Sequence, residues 1–420
     1  VTIKIYQRDA YARTCASTVT AHVDDGGRRA VALAETVFYP AAGGQPPDHG
    51  HLDGLAVVDV REDADVVWHA VELSMGRALP AIGTVVTGTI DWQRRFDHMQ
   101  QHTGQHILSQ AFLRVADAAT VSVHMDRTCT LDLAVQTLDD DTVSRVETLA
   151  NTIVMEARPI SVRTVDSVEA DALGLRRPPK QTGPLRIVEV ADFDRSACGG
   201  THVRTAGEVG AIVIRGWERY KGNVRAQFLC GWRVWAEFRR MQRVLGDLGG
   251  RLTTGDADLP AAVARLQDHA RSLERQLAEA RAVALEHEAD RLVDEARTRS
   301  ATGDPGAPLD AQLGAPLVIA LAFPERSIEE ARQLARALTT RASCVVAVAV
   351  DPGRRLLVAR SADVSIDAAS VLREALAAHG GRGGGQQGAA EGAAPSAPSA
   401  QVLADAAAES ARRALRGAGH

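Results

Sequence analysis

No stretch of the chain approaches the roughly 18 consecutive apolar residues of a membrane-spanning helix, so neither a membrane span nor a membrane partner is expected. The first ten residues, Val1–Ala10, lack the basic-then-apolar pattern of an export signal. Cysteine is scarce and scattered, with five residues at 15, 129, 198, 230 and 344. An odd, dispersed set excludes a disulfide framework, so a reduced cytoplasmic chain is expected. Lysine is nearly missing: Lys4, Lys180 and Lys221 stand alone, and arginine supplies the rest of the positive charge. That bias by itself says nothing about phosphate recognition. Nor is there a basic excess, since 48 Lys+Arg face 53 Asp+Glu for a formal net charge of −5. A general nucleic-acid coat protein is thereby disfavoured, while a local basic face is not. What remains is an ordinary globular composition, 420 residues with 45% hydrophobic and 24% charged. At about 100–200 residues per domain this is room for two to four domains.

Short alternating segments fill residues 1–95: Thr2–Tyr6, Ala30–Ala34, Ala56–Val60 and Thr84–Ile90. Asp24-Asp25-Gly26-Gly27 and Asp53-Gly54 separate them with turn chemistry, which predicts a small β-barrel or sandwich. The period then becomes helical from Asp97 to about Ala116, with Met99, Ile107, Leu108, Ala111, Phe112 and Val115 at helical spacings and Asp97 as the expected cap. Strand-like Val121–Met125 and Thr128–Leu133 and a helix near Asp141–Glu156 follow, so 96–232 reads as one α+β domain. Between 233 and 300 two apolar stripes appear. Val234, Phe238, Met241, Leu245 and Leu248 form the first, ended by Gly249-Gly250. After Pro260, Val263, Leu266, Ala270, Leu273, Leu277, Ala280 and Ala284 form the second, a heptad seam. The stripes predict an antiparallel helical hairpin, with homodimerisation through the helical or C-terminal region as the rival use. Thr302–Pro308 reads as a linker. Strands at Pro316–Leu321, Cys344–Val350 and Leu356–Ala359 alternate with helices near Ile328–Thr340 and Ala368–His379, which makes 310–420 a small α/β domain. Gly380–Gly385 is glycine-dense, Gly388–Ala400 is low in complexity, and Val402–Leu415 is a final helix.

Two residue pairs carry chemistry. His102 and His106 lie four apart on the first helix, so their imidazoles share one face. Cys198 and His202 are also four apart, with Gly199-Gly200 between them to let the backbone curl. Three imidazoles and a thiolate make a tetrahedral set, and the thiolate favours one zinc ion. Each pair alone is weak evidence, since such a spacing more often lies on a solvated face. His98 extends the histidine series but is not needed as a ligand, so it orients a ligand or lies on the helix surface. Cys15, Cys129, Cys230 and Cys344 have no partner at ligand spacing and read as small buried hydrophobes. Ser122 and His124 point to the same face of one strand, as a satisfied polar pair or a substrate contact.

The run His102-Thr103-Gly104-Gln105-His106, followed by Cys198-Gly199-Gly200-Thr201-His202-Val203, resembles the zinc motifs of the editing domain of alanyl-tRNA synthetases and of the free-standing AlaX editing proteins. Phe38-Tyr39-Pro40-Ala41-Ala42-Gly43-Gly44-Gln45-Pro46-Pro47-Asp48 resembles that group's glycine-rich motif. Gly207-Glu208-Val209-Gly210 and Lys221-Gly222-Asn223-Val224-Arg225 follow in the family's order. Gly380–Gly385 resembles the glycine-rich stretch of the synthetases' C-terminal domain. The resemblance implies an α+β long-type AlaX protein. Its parts are an N-terminal barrel (1–95), a zinc-containing editing core (96–232), a helical hairpin (233–300) and a C-terminal α/β domain (310–420). With the barrel starting at Val1, no aminoacylation domain is expected ahead of it.

The implied activity is hydrolysis of the ester joining serine, and secondarily glycine, to alanine tRNA. One Zn²⁺ on His102, His106, Cys198 and His202 is the implied cofactor. Gln105, Thr103, Ser122, His124 and Thr201 are the implied catalytic or pocket-lining groups. Gly43, Gly44 and Gln45 are implied to bind substrate, with Arg215, Lys221 and Arg225 in a basic cluster suited to tRNA phosphates. Arg176, Arg177 and Lys180 form a second basic patch. Four protein ligands suit a closed structural zinc, whereas catalytic zinc keeps three and a water. Either His202 is loosely held, or the ion positions substrate. Alternatives are a zinc-stabilised tRNA-binding protein without catalysis, or a hydrolase of another aminoacyl-tRNA.

Overall fold

A computed structural model of the chain describes residues 1–24, 29–73, 77–177, 183–301, 315–351 and 353–417. It divides into two units, Val1–Asp256 and Ala257–His420, so the boundary falls inside the 233–300 segment.

Six strands open the first unit: Thr14–Asp24 (β1), Arg29–Leu33 (β2), Gly50–Leu52 (β3), Leu55–Asp63 (β4), Val66–Glu72 (β5) and Val85–Ile90 (β6). They close on themselves in the order β1-β2-β5-β4-β3-β6, so every strand has two neighbours and no edge is left free. Period-2 burial in β1 and β6 turns Val19, Val86 and Ile90 inward, where they meet Val31, Phe38, Leu52 and Val60. The turn expected at Asp25–Gly27 lies outside the described residues.

Trp92–Ala116 (α1) follows. Asp91, not Asp97, caps it: the Asp91 carboxylate accepts from the Arg94 amide at 3.1 Å. The helix starts early because Trp92 and Phe96 already pack on the core that the apolar period begins counting at Met99. Asp97 instead pairs with Arg233 at 2.7 Å. Every residue from His98 to Ser109 is buried. Around α1 stand Thr120–Met125 (β7), Cys129–Leu133 (β8) and Asp140–Met155 (α2). Ile160–Val165 (β9), Leu185–Val190 (β10) and Asp194–Ala197 (β11) form a three-stranded antiparallel sheet in that order. Ile212–Tyr220 (β12) and Asn223–Cys230 (β13) complete a four-stranded sheet, β12-β13-β8-β7. Trp232–Leu252 (α3) ends the unit's regular structure. Gly249-Gly250 does not stop it, because the left-handed cap falls at Thr253 (φ 52°).

The second unit begins with the 43-residue helix Leu259–Ala301 (α4). Its sheet contains Leu317–Phe323 (β14), Cys344–Val350 (β15) and Arg355–Arg360 (β16), with Ile328–Arg341 (α5) between the first two strands and Ala368–Ala377 (α6) after the third. Strands Arg382–Gly385 (β17) and Ala389–Ala393 (β18) and the helix Ala400–Gly417 (α7) follow. The strand order is β14-β15-β16-β18-β17, with β14 and β15 parallel and the other pairs antiparallel. The glycine-dense stretch thus contains the edge strand β17, and its low-complexity neighbour contains β18, which pairs with β17 on one side and β16 on the other. Thr302–Pro308 lies outside the described residues.

The two helices of the expected hairpin fall in different units. Phe238 and Met241 on α3, and Leu266, Leu273 and Leu277 on α4, are exposed. The far half of α4 holds that helix in its unit: Ala289, Leu292, Val293 and Ala296 pack with Leu334 and Leu338 of α5. Among the described residues no helix is long and apolar enough to cross a membrane.

Candidate metal centre

The centre is assembled from one helix and one turn. Helical spacing puts His102 and His106 on one face of α1, their ring centroids 5.3 Å apart. The turn after β11 brings in Cys198 and His202, whose ring lies 4.4 Å from that of His102 and 4.9 Å from that of His106. Cys198 Sγ is 3.3 Å from both His102 Nε2 and His202 Nε2. Tetrahedral Zn–N and Zn–S bonds set such edges at about 3.5 Å. One atom from each of the four residues falls within 4.8 Å of every other. The three histidines are buried, and Cys198 is partly exposed as a residue.

Each imidazole is oriented from behind. His102 Nδ1 donates to Gln45 Oε1 at 2.7 Å, and His106 Nδ1 to Asp194 Oδ2 at 3.1 Å. His202 Nδ1 meets Thr103 Oγ1 at 3.1 Å. With Nδ1 spent in each ring, Nε2 is the nitrogen left to bind metal. Gly200 is required by space: a Cβ there would stand 2.1 Å from His102 Cε1. These donors, their fixed tautomers and the close glycine fit a borderline divalent ion.

The charge states agree for two of the ligands. Burial pushes the Cys198 thiol up, but the His102 and His202 imidazoles outweigh it and hold it well below its ordinary value. Burial and the neighbouring His102 push His202 down to about 3, so it is neutral. Burial also lowers His106, yet its bonds to Asp194 and Cys198 win and raise it to about 9. A metal binding here displaces that proton, which couples affinity to pH.

Gln45 reaches the centre because its loop is nailed to α1. Buried Arg95 bonds to Asp48 and to the Val37 and Ala10 carbonyls, and Asp48 accepts from the Tyr39 amide at 2.7 Å. The Gln45 amide is itself fully engaged, donating to Thr201 Oγ1 at 2.8 Å and accepting from the Thr201 amide at 3.1 Å. Gly43 and Gly44 make the turn with φ of 57° and 86°, and a Cβ on Gly44 would come within 2.9 Å of the Val123 carbonyl.

The other expected site residues are placed less centrally. Thr103 and Thr201 stand behind the ligands as just described. Gln105 donates to Ser109 Oγ, and Thr120 donates to the same oxygen, both at 2.8 Å. Ser122 donates to Asp132 at 2.5 Å, while His124 is exposed on β7. Arg225 is paired bidentately with Asp132 at 2.6 and 2.8 Å and stacks 3.5 Å over Tyr220. Arg215 pairs with Glu237 at 3.0 Å, and Lys221 sits at the β12–β13 hairpin tip with φ 49°. Arg176 pairs with Asp194, and Lys180 lies outside the described residues. His98 is buried with Nδ1 unpartnered, so it is neither on the surface nor seen to orient a ligand. Asp194 and Arg186 escaped sequence reasoning, since neither falls in a spacing that marks a site.

Comparison with known proteins bears on the same residues. A family model described as "Threonyl and Alanyl tRNA synthetase second additional domain" matches residues 185–225, which include Cys198 and His202. "Alanyl-tRNA editing protein AlaX-L" of Pyrococcus horikoshii is 32% identical over 288 residues, 66% of this chain and 70% of that protein. The chain belongs to the alanyl-tRNA editing family. Its first unit carries the His102, His106, Cys198 and His202 cluster, and the match extends to the synthetases. "Alanine--tRNA ligase" of Pyrococcus furiosus is 34% identical over 257 residues, 57% of this chain but 27% of the ligase. Among solved structures, the C-Ala domain of Aquifex aeolicus alanyl-tRNA synthetase is 25% identical, covering 24% of this chain and 94% of that one at a TM-score of 0.21.

Proposed function

We propose that the chain is an editing hydrolase that cleaves the ester between a wrong amino acid and alanine tRNA, serine first and glycine second. The observation that carries this reading is the convergence of His102, His106, Cys198 and His202 in a member of the editing family. In the reaction water adds to the ester carbonyl carbon, the bond to the ribose oxygen breaks, and free amino acid and uncharged tRNA leave. Such editing is needed because a pocket for alanine cannot strongly reject an added hydroxyl. A second site that hydrogen-bonds that hydroxyl rejects alanine by leaving its own polar group unpaired.

Zinc is the ion we assign to the four ligands, where it supplies Lewis acidity and a fixed point for the aminoacyl end. Gln45, Asp194 and Thr103 orient the imidazoles, and Thr201 couples Gln45 to the ligand turn. Gln105, Ser122 and His124 remain candidates for lining the pocket. Lys221 at the hairpin tip, beside the Tyr220 ring, is the cation of these three that we assign to the tRNA backbone, because Arg215 and Arg225 already hold carboxylates. A tRNA substrate also places the reaction in the cytoplasm.

One feature favours a second reading: four protein ligands close a tetrahedral zinc. A zinc-stabilised tRNA-binding protein would retain tRNA without cleaving it. Incubation with alanine tRNA charged with serine, glycine or alanine, and with other mischarged tRNAs, separates the readings. Release of serine by the parent and its loss in Cys198→Ala is the expected result. Undiminished hydrolysis by Cys198→Ala rejects the metal-centred enzyme.

A further inference from the structure

Arg186 is built into the centre in a way that no ligand motif announces. It lies at the start of β10, the middle strand of β9-β10-β11, directly across from the ligand turn. Its carbonyl accepts from the Cys198 amide at 2.9 Å, continuing the β10–β11 ladder one step past Ala197. Its Nη1 then donates to two carbonyl oxygens of the turn, Cys198 at 2.7 Å and Gly200 at 2.9 Å. The same residue therefore holds both the N–H and the C=O of Cys198. Nε reaches the Gln7 carbonyl at 3.4 Å.

The contrast with its neighbours is informative. Arg95, Arg176, Arg225 and Arg233 each pair with a carboxylate, as partly buried guanidinium groups generally do. Among the described residues no carboxylate pairs with Arg186, and its polar contacts are main-chain oxygens. Gln45 holds the far end of the turn through Thr201, while Arg186 holds the Cys198 and Gly200 carbonyls at its start. Gly199 and Gly200 are both permissive, and a Cys-Gly-Gly segment left to itself samples many conformations. Sγ reaches 3.3 Å from two imidazole nitrogens only in the observed curl.

We propose that Arg186 is a positioning residue of the metal centre. Through Nη1 it clamps the Cys198–Gly200 turn in the curl that aims the sulfur at the three imidazoles, so that metal is held tightly only when the clamp is made. The inference rests on the metal reading above, and the test separates the two.

The test compares the full-length parent, Arg186→Met and Arg186→Lys. Cobalt(II) loading is followed by thiolate-to-cobalt absorption, zinc retention by chelator competition, and melting is measured with zinc and with chelator. Removing an outer partner of a ligand typically weakens metal affinity about 10–100-fold, and Arg186→Met is expected in that range. Its melting point in chelator stays near the parent's, while the rise produced by zinc shrinks. Lysine can donate from one nitrogen to both carbonyls, so Arg186→Lys is expected within about threefold of the parent. Parent-like cobalt spectrum and zinc affinity in Arg186→Met overturns the proposal. So does an equal fall in melting point with and without zinc, which marks general support of the fold. Should Arg186→Met fail to fold, Arg186→Lys decides: parent-like retention supports the clamp and a tenfold loss rejects it. A parent that binds neither cobalt nor zinc overturns the metal reading itself.

Discussion

Two helices break the inside–outside rule in opposite directions. In α1, polar residues are buried: His98, Gln100, Gln101, His102, Thr103, Gln105 and His106 are all 5% exposed or less. In α4, apolar residues are exposed, with Leu266, Leu273 and Leu277 each more than half accessible. Burying a polar group without a partner costs a few kcal/mol, and each of these residues has a partner except His98, whose Nδ1 has none. Gln101 alone takes the Cys230 amide and gives to the Cys230 carbonyl, both at 2.9 Å. Exposed leucines cost far less, and α4 keeps its place through the packed half from Ala289 to Ala296. Burial of polarity therefore marks the helix that carries the candidate site, while exposure of a heptad stripe marks no site by itself.

The largest expected effect comes from the partners that make polar burial in α1 tolerable. Asp194→Asn and Gln45→Leu should each weaken zinc retention by about 10–100-fold, read by chelator competition, because each frees an imidazole to turn. Retention equal to the parent's in both would mean that α1 alone presents its histidines.

Buried histidines also make an acid signature. Burial pushes His69 down to about 4, as it does His98 with help from Arg94. In the unfolded chain each takes up a proton near 6.5, and the folded chain refuses it until about 4. Their stabilising contribution is thus full above 6.5 and is lost as pH falls toward 4. Each loses about 1.4 kcal/mol per pH unit through that window, about 3 kcal/mol in all. Urea unfolding between pH 7 and 4 should show this fall, and His69→Gln should reduce the slope by about 1.4 kcal/mol per pH unit. An unchanged slope would mean that His69 is protonated or open to water in the folded chain.

Packing gives the next effect. A Cβ on Gly104 of α1 would lie 2.3 Å from Cys230 Sγ, whereas one on Gly246 of α3 meets nothing within 4 Å. Gly104→Ala should destabilise by about 1–3 kcal/mol despite alanine's better helix propensity. Gly246→Ala should instead stabilise by about 0.5–1 kcal/mol. Thermal melts of both variants check the pair, and equal signs would undo the contrast. The smallest effect belongs to the α4 stripe. Leu273→Ala should change stability by no more than about 0.5 kcal/mol, as an exposed site does. A loss of about 2 kcal/mol or more, or a concentration-dependent melt, would show that the stripe is covered in solution.

Much of the secondary structure was legible. Cys344–Val350 is the strand its unbroken apolar run predicts, and the helices near 328–340 and 368–379 lie where their periods put them. The errors have local causes. The glycines at 249–250 stop a helix only if one adopts the left-handed cap, and Thr253 takes that role. No strand was expected at Arg382–Gly385, because an edge strand of glycines gains its order from the neighbouring strand, which composition does not record. Gln45 was legible as a motif residue but not as the acceptor that orients His102.

By itself the sequence determined the two ligand pairs, since a four-residue spacing on a helix or a glycine turn is a local property of the chain. Only the tertiary structure decided that the pairs meet, that Asp194 stands behind His106 at 88 residues' remove, and that Arg186 grips the ligand turn. Ordinary carboxylates and guanidiniums carry no spacing signature. Their roles come into being when folding brings them into hydrogen-bond reach of a buried imidazole or an unpaired carbonyl.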